Sequence, residues 1–286
     1  MPDPFLKFGS KTYIMGILNV TPDSFSGDGL MTQNDVVRAA IEQALRFVES
    51  GADILDIGGE STRPGSQPVS AQEEMDRVLP VIEALAGLKL EAILSLDTSK
   101  AAVAIAGLNA GVHWINDVWA LKADPAMVKV AAESGVPLVL MHNRSKPNHV
   151  ELQERLGGQY LGAEYDDIIA DIKRELQESI DLALAGGVRK EQIILDPGLG
   201  FGKKVEHNLE LVNRLDEIKG MGYPVLLGPS RKSFIGYTLD LPPDDRLEGT
   251  EAVCTIAITR GADILRVHDV LEISRLARMS DAILRK

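Results

Sequence analysis

Short runs of branched and aliphatic residues recur eight times along the chain, each followed by a loop and then by a longer stretch with helical periodicity. The runs are Tyr13 to Leu18, Ile54 to Ile57, Ile93 to Leu96, His113 to Ile115, Pro137 to Met141, Ile193 to Leu195, Val225 to Leu227 and Ile264 to Val267. They read as parallel strands buried on both faces. The segments between them predict helices over residues such as Asn34 to Ser50, Ala71 to Leu85, Ala101 to Ala110, Tyr165 to Ala185 and His207 to Lys219. Gly51, Gly111, Gly186 and Gly220 stand where helices stop, since glycine takes the left-handed turn past the last carbonyls without a steric cost.

No Pro/Ser-rich linker or change of composition divides this rhythm, so residues 1–286 read as one domain. Polar residues end the apolar runs in every unit and do not cluster at one switch point, which favours a closed (β/α)8 TIM barrel over an open doubly wound sheet. Phe5 to Lys11, with Gly9-Ser10 as a turn, predicts a short N-terminal β-hairpin covering the barrel floor.

Composition narrows the partners. Apolar residues make up 45% of the chain and charged residues 25%, as in ordinary soluble globular proteins. The formal net charge of -12, with no large Lys/Arg cluster, would repel a nucleic acid. No apolar stretch reaches the roughly 20 residues needed to cross a bilayer, and the N-terminus lacks a basic-then-apolar export signal, so a cytoplasmic protein away from membranes is expected. The single cysteine, Cys254, lies in the apolar run AVCTIAI and reads as a small buried thiol.

The chemistry lies in what terminates the runs: Asn19, Asp56, Asp97, Asn116 with Asp117, His142, Asp196, Gly228 with Ser230-Arg231-Lys232, and His268. In a barrel these strand ends converge on one face. Any single Asp there could instead cap the next helix, as in Asp97-Thr98-Ser99, but eight polar terminations point to one site. Arg63, Lys203, Arg231, Lys232, Arg266 and His268 bring cations to the same face of an acidic protein, which suggests an anion. Alternate residues of a strand share a face, so Arg266 and His268 point the same way and could grip one phosphate, with a structural salt bridge as the other reading. The stretch Asp196 to Lys203 lacks the Ser/Thr of a P-loop and the spacing of a dinucleotide fingerprint; its glycines suit close approach of backbone and Phe201 to a flat ligand. The loops Thr21 to Gly29 and Gly58 to Ser66 read as ordinary turns or, mixing hydroxyls, charges and an aromatic, as a substrate lid. Metal ligands are oxygen-rich, Asn19 and Asp56 among them, with no Cys/His set at zinc spacing, so Mg2+ sharing substrate phosphates is expected.

The segments MGILNVTPDSF (15–25), DIGGESTRPGS (56–66), LDTSK (96–100), IND (115–117), DPGLGFGK (196–203), GPSRKSFIG (228–236) and RVHDV (266–270), in this order over nearly the whole chain, resemble the dihydropteroate synthases, a pterin-binding barrel family. The resemblance implies joining of a dihydropterin methyl diphosphate to 4-aminobenzoate with release of diphosphate. It implies that Asp97, Asn116, Asp196 and Lys232 hold the pterin, with Met141, Phe201 and Gly228 shaping its pocket. Arg266, His268 and Asn19 would hold the diphosphate, Asn19 partly through magnesium. Thr62, Arg63, Pro64, Ser233 and Phe25 would hold the arylamine. A homodimer through the helical exterior is implied too. A pterin-binding methyltransferase domain and a non-catalytic pterin- or phosphate-sensing barrel are the alternatives; the first has no diphosphate to hold. The loop Met141 to Ser145 departs from the family in lacking a glycine close after Met-His, which leaves its path open.

Overall fold

The computed structural model describes residues 3–21, 33–62, 65–146, 149–153 and 155–285. Eight strands form one parallel sheet: β1 (Tyr13–Asn19), β2 (Ile54–Gly58), β3 (Ile93–Asp97), β4 (Trp114–Asp117), β5 (Leu138–Met141), then β8 (Ile193–Asp196), β9 (Leu226–Leu227) and β10 (Ile264–Val267). The hydrogen-bonded order is β8-β5-β4-β3-β2-β1-β10-β9. A parallel bridge between Leu195 and Val225, with Leu195 N–H donating to the Pro224 carbonyl at 2.9 Å, joins the two ends and closes the ring. All eight strands coincide with the apolar runs of the sequence, within a residue or two at their ends.

Helices surround the ring: α1 (Gln33–Glu49), α2 (Ala71–Gly87), α3 (Ala101–Ala110), α4 (Met127–Ser134), α5 (Ile168–Ala185), α6 (Val205–Asn213), α7 (Leu215–Lys219), α8 (Ser233–Leu239), α9 (Leu247–Thr259) and α10 (Val270–Leu284). Their starts follow capping chemistry. Ser70 Oγ accepts from the Glu73 amide at 3.1 Å before α2, and the Asp167 carboxylate accepts from the amides of Ile169 and Ala170 before α5. The helix expected over His207 to Lys219 is two: Arg214 leaves helical backbone at φ -111, ψ 24 and separates α6 from α7. Among the described residues no helix is long and apolar enough to cross a membrane.

Strand parity divides the core. Tyr13, Met15, Ile54, Ile93, Trp114, Val139, Ile194, Leu226 and Ile264 point inward and fill the lower barrel, while their neighbours Ile14, Leu55, Leu94, Ile115, Leu138 and Leu265 pack outward on the helices. The N-terminal segment covers the floor as expected, but as turns and not as a hairpin. Leu6 and Phe8 pack on the inner cluster, the Trp114 indole donates to the Pro4 carbonyl at 2.7 Å, and the Tyr13 hydroxyl donates to the Lys7 carbonyl at 3.0 Å. These side-chain contacts satisfy the segment without strand pairing.

A true hairpin stands elsewhere, unforeseen in the sequence. β6 (Val150–Gln153) and β7 (Gly157–Tyr160) pair antiparallel between β5 and α5, on the same end of the barrel as the strand C-termini.

Candidate active site

The parity that fills the lower barrel also builds the site. Two residues beyond inward Ile54, Ile93, Trp114 and Ile264 come Asp56, Ser95, Asn116 and Arg266, so a polar layer lies directly above an apolar one. Asp56, fully buried, accepts from Ser95 Oγ at 2.6 Å, Asn116 Nδ2 at 2.9 Å and Arg266 Nε at 2.6 Å. A buried carboxylate needs this degree of satisfaction. With both oxygens engaged and the side chain beneath the cleft lining, Asp56 serves as the anchor of its neighbours.

One further step along the strands lies the cleft wall. Arg266 Nη2 donates to Asp97 Oδ2 at 2.8 Å, so the guanidinium bridges two carboxylates. Both sequence readings of Arg266 therefore meet in one side chain: it is in a salt bridge, and it lines the cleft. Burial pushes the Asp97 carboxyl up to about 7; Arg266 pulls it back, and the nearby carboxylates of Asp56, Glu74 and Asp117 push it further.

The cleft, about 430 Å³, opens above this layer. Asn19, Thr62, Asp97, Phe201, Gly228, Lys232, Ser233, Arg266 and His268 all line it, bringing together most residues selected from the sequence. Asn116, Met141 and Asp196 lie just behind the wall and are nearly fully buried. Asp196 accepts the Gly198 amide at 2.7 Å; burial raises its carboxyl, opposed by Lys232 and that amide. Lys232 donates to the Leu199 carbonyl and sits 4.5 Å from the Phe201 ring centroid. Burial lowers its ammonium to about 8 against the support of Asp196. The His268 amide donates to Ser230 Oγ at 3.1 Å, and its Nδ1 lies 3.0 Å from the same hydroxyl. Phe25, Arg63 and Pro64 lie outside the described residues.

Parity also removes candidates. His142 and Asp117 sit one residue out of phase with the inward positions and face away from the cleft. Asp117 caps the following turn, accepting the amides of Trp119 and Leu121. His142 meets Glu175 on α5 at 3.0 Å, and burial followed by the charge of Lys203 depresses its imidazole to about 4. Lys203, expected among the anion-binding cations, is nearly fully buried. It lies 3.0 Å from His142 Nδ1 and donates to the carbonyls of Gly198 and Phe201 at 2.8 and 3.2 Å, pinning the glycine-rich loop. Burial holds its ammonium well below the ordinary lysine value. Arg231 pairs with Asp269 at 2.5 Å at the cleft edge. In the glycine-rich loop Gly198 has φ +69, and a Cβ there would overlap the His142 carbonyl oxygen, so no other residue fits.

The described start of the loop after β5 is tied down. Asn143 Nδ2 donates to the Val118 carbonyl at 3.1 Å, its Oδ1 accepts from Ser145, and Arg144 pairs with Glu175. Leu156, Gly157, Gly158 and Tyr160 of the β6–β7 hairpin line the cleft. Sequence reasoning missed them; the signal available was alternating Val150-Glu-Leu-Gln153 followed by the Gly157-Gly158 pair. Among the described residues there is no group of three or more His, Cys, Asp or Glu that could hold a metal.

Residues 15–268 match the model of the family described as pterin binding enzyme. The chain is 48% identical to a dihydropteroate synthase of Bacillus subtilis over 98% of this chain and 92% of that protein. It is 43% identical to the dihydropteroate synthase of Escherichia coli K12 over 96% and 93%. Among solved structures, dihydropteroate synthase from Clostridium difficile in the presence of pteroic acid superposes with a TM-score of 0.88 at 48% identity, covering 98% of this chain and 100% of that one. The polar layer, the strand-end cleft and this full-length similarity place the chain in the pterin binding enzyme family, among the dihydropteroate synthases.

Proposed function

We propose that this cleft joins a (7,8-dihydropterin-6-yl)methyl diphosphate to 4-aminobenzoate, giving 7,8-dihydropteroate and diphosphate. The observation that carries the reading is the meeting of Asp97, Lys232 and Arg266 at one cleft, with Asp196 and Asn116 behind its wall. A dihydropterin offers a row of N–H donors and a carbonyl. Asp97 and Asp196 accept along that edge, Lys232 donates, and Asn116, its Nδ2 committed to Asp56, presents its carbonyl oxygen. Met141, Phe201 and Gly228 bound the ring.

The C–O bond between the pterin methylene and diphosphate breaks first, its electron pair leaving on the diphosphate and a cation remaining delocalised into the ring. The arylamine lone pair then forms the C–N bond and the nitrogen loses a proton. A free aniline is neutral at pH 7, so the main task is to stabilise opposite charges at the two ends of the breaking bond. Asp97 and Asp196 face the cation. His268 and the edge of Arg266 not committed to Asp56 and Asp97 face the anion. Asn19 offers a single amide oxygen at the cleft, which fits an ion such as Mg2+ that takes its other ligands from water and substrate phosphates. When bound, Mg2+ would neutralise diphosphate charge. The arylamine takes the outer cleft, by Thr62 and Ser233, with Arg63, Pro64 and Phe25 as further candidates.

The same reading includes a cytoplasmic homodimer, supported by exposed Met279 and Ile283 on α10, 63% and 62% accessible, and testable by sedimentation. The decisive assay is diphosphate release from the pterin diphosphate, with and without 4-aminobenzoate and Mg2+. Release that is accelerated by 4-aminobenzoate and falls on chelation is expected. No release with both supplied would leave a sensing barrel or a methyltransferase domain.

A further inference from the structure

The outer cleft has a wall that the catalytic scheme does not use. Tyr160, at the end of β7, lines the cleft, and its hydroxyl donates to the Thr62 carbonyl at 3.0 Å, across from the loop that follows β2. Its ring lies 6.2 Å from that of Phe201, at an interplanar angle of 28°. Aromatic neighbours sit about 4.5–7 Å apart, so a third ring between these two would need roughly 9 Å. The two rings therefore form one continuous surface, not the jaws of a sandwich. That surface runs outward from Lys232, whose ammonium is over Phe201, to Thr62.

The hairpin carrying Tyr160 is fixed independently of that hydroxyl. Arg246, nearly fully buried, donates to the Leu156 carbonyl at 2.8 Å and, through its other amino group, to the Arg231 carbonyl at 2.9 Å. Arg155 pairs with Asp240, and Glu151 accepts from Gln153 on its own strand and from Gln159 across the hairpin. The hairpin, tied to Asp240 and Arg246 between α8 and α9, thus reaches over the cleft, and among the described residues its Tyr160 phenol bonds the loop after β2. Burial keeps that phenol above its ordinary pKa against the opposing effect of the nearby Ser145 side chain, so it remains a donor throughout the neutral range.

We infer that Tyr160 is a positioning residue for the arylamine substrate: its hydroxyl sets where Thr62 stands and its ring braces Phe201, which together fix the width of the outer cleft. This rests on the proposed function, since it assigns the outer cleft to the arylamine. It adds a residue from the hairpin inserted after β5 to a substrate site otherwise drawn, among the described residues, from the loops after β2 and β9.

The test is steady-state kinetics with each substrate varied in turn, on wild type, Tyr160→Phe and Tyr160→Ala, with pterin binding followed separately by calorimetry. Tyr160→Phe keeps the ring and loses the hydrogen bond. Its KM for 4-aminobenzoate should rise about fivefold, the factor carried by one net hydrogen bond, with KM for the pterin diphosphate and kcat within about twofold. Tyr160→Ala also loses the aromatic brace on Phe201 and should raise the same KM about 20-fold, with pterin binding weakened by far less than that factor. An unchanged KM for 4-aminobenzoate in both variants overturns the inference. So does a parallel rise in both KM values with weakened pterin binding, which would mean a merely structural tyrosine. Failure of the underlying function reads differently: wild type itself would release no diphosphate.

Discussion

Asp56 is the residue whose removal should be most costly although it does not line the cleft. Replacing it by Ala withdraws the acceptor shared by Ser95, Asn116 and Arg266, at 2.6, 2.9 and 2.6 Å. Removing one member of a buried ion pair costs about 3–5 kcal/mol, and each stranded buried neutral donor about 1–3 kcal/mol more where no water reaches it. Arg266 keeps Asp97 as a partner, and the cleft immediately above lets water reach part of the vacated space, which together bring the total to about 4 kcal/mol. That is a large share of the roughly 5–15 kcal/mol by which domains are stable. Asp56→Asn keeps the volume and one acceptor and should cost about 2 kcal/mol, so it remains folded for kinetics. Both variants free Arg266 and Asn116 to move, and a displacement of about 1 Å in an aligned site costs about 100-fold. The expected result is a fall of that order in kcat/KM for the pterin diphosphate, measured by diphosphate release, beside a lowered urea midpoint followed by circular dichroism. Wild-type kcat/KM in Asp56→Asn, or Asp56→Ala within about 1 kcal/mol of wild type, would refute the anchoring role.

Three other outcomes follow from the site. Asp97 has its folded-state pKa raised to about 7 from 3.8, so its contribution to stability is present below about pH 4 and is lost as pH rises toward 7. The melting-temperature difference between Asp97→Asn and wild type should therefore be more positive at pH 8 than at pH 5, and an equal difference at both would count against the raised value. Lys232, lowered to about 8, should impose a falling limb on kcat/KM for the pterin diphosphate above that pH. Lys232→Met should be about 100-fold less active at pH 7 and flat from pH 7 to 9; a limb that persists in the variant belongs to another group. Gly198→Ala forces a Cβ onto the His142 carbonyl at a positive φ and should cost more than the roughly 1–3 kcal/mol of backbone strain alone, read as a lowered melting temperature with weakened pterin binding.

The barrel was legible because its signal is local and repeated. A buried parallel strand must be apolar on both faces, so each of the eight announces itself in three to six residues. Polar residues at the ends of those runs marked the rim, and Asp97, Lys232, Arg266 and His268 do meet there. Two elements misled. The floor segment carries a turn but satisfies itself through Trp114 and Tyr13, and Lys203 looks like an exposed cation in a glycine-rich loop yet is sealed beneath it.

By itself the chain determined the number and order of its βα units, the chemistry available at each strand end, and through seven ordered motifs its family. Which of those groups act together is a matter of register and parity around a closed ring, and no stretch of sequence contains it. One residue of phase sends Asn116 to the cleft layer and Asp117 to the cap of a turn, and the pairing of β1 with β10 brings Arg266 within reach of Asp56, 210 positions away. The hairpin over the cleft depends on Arg246, more than 80 residues beyond it, so its place could come only from the folded chain.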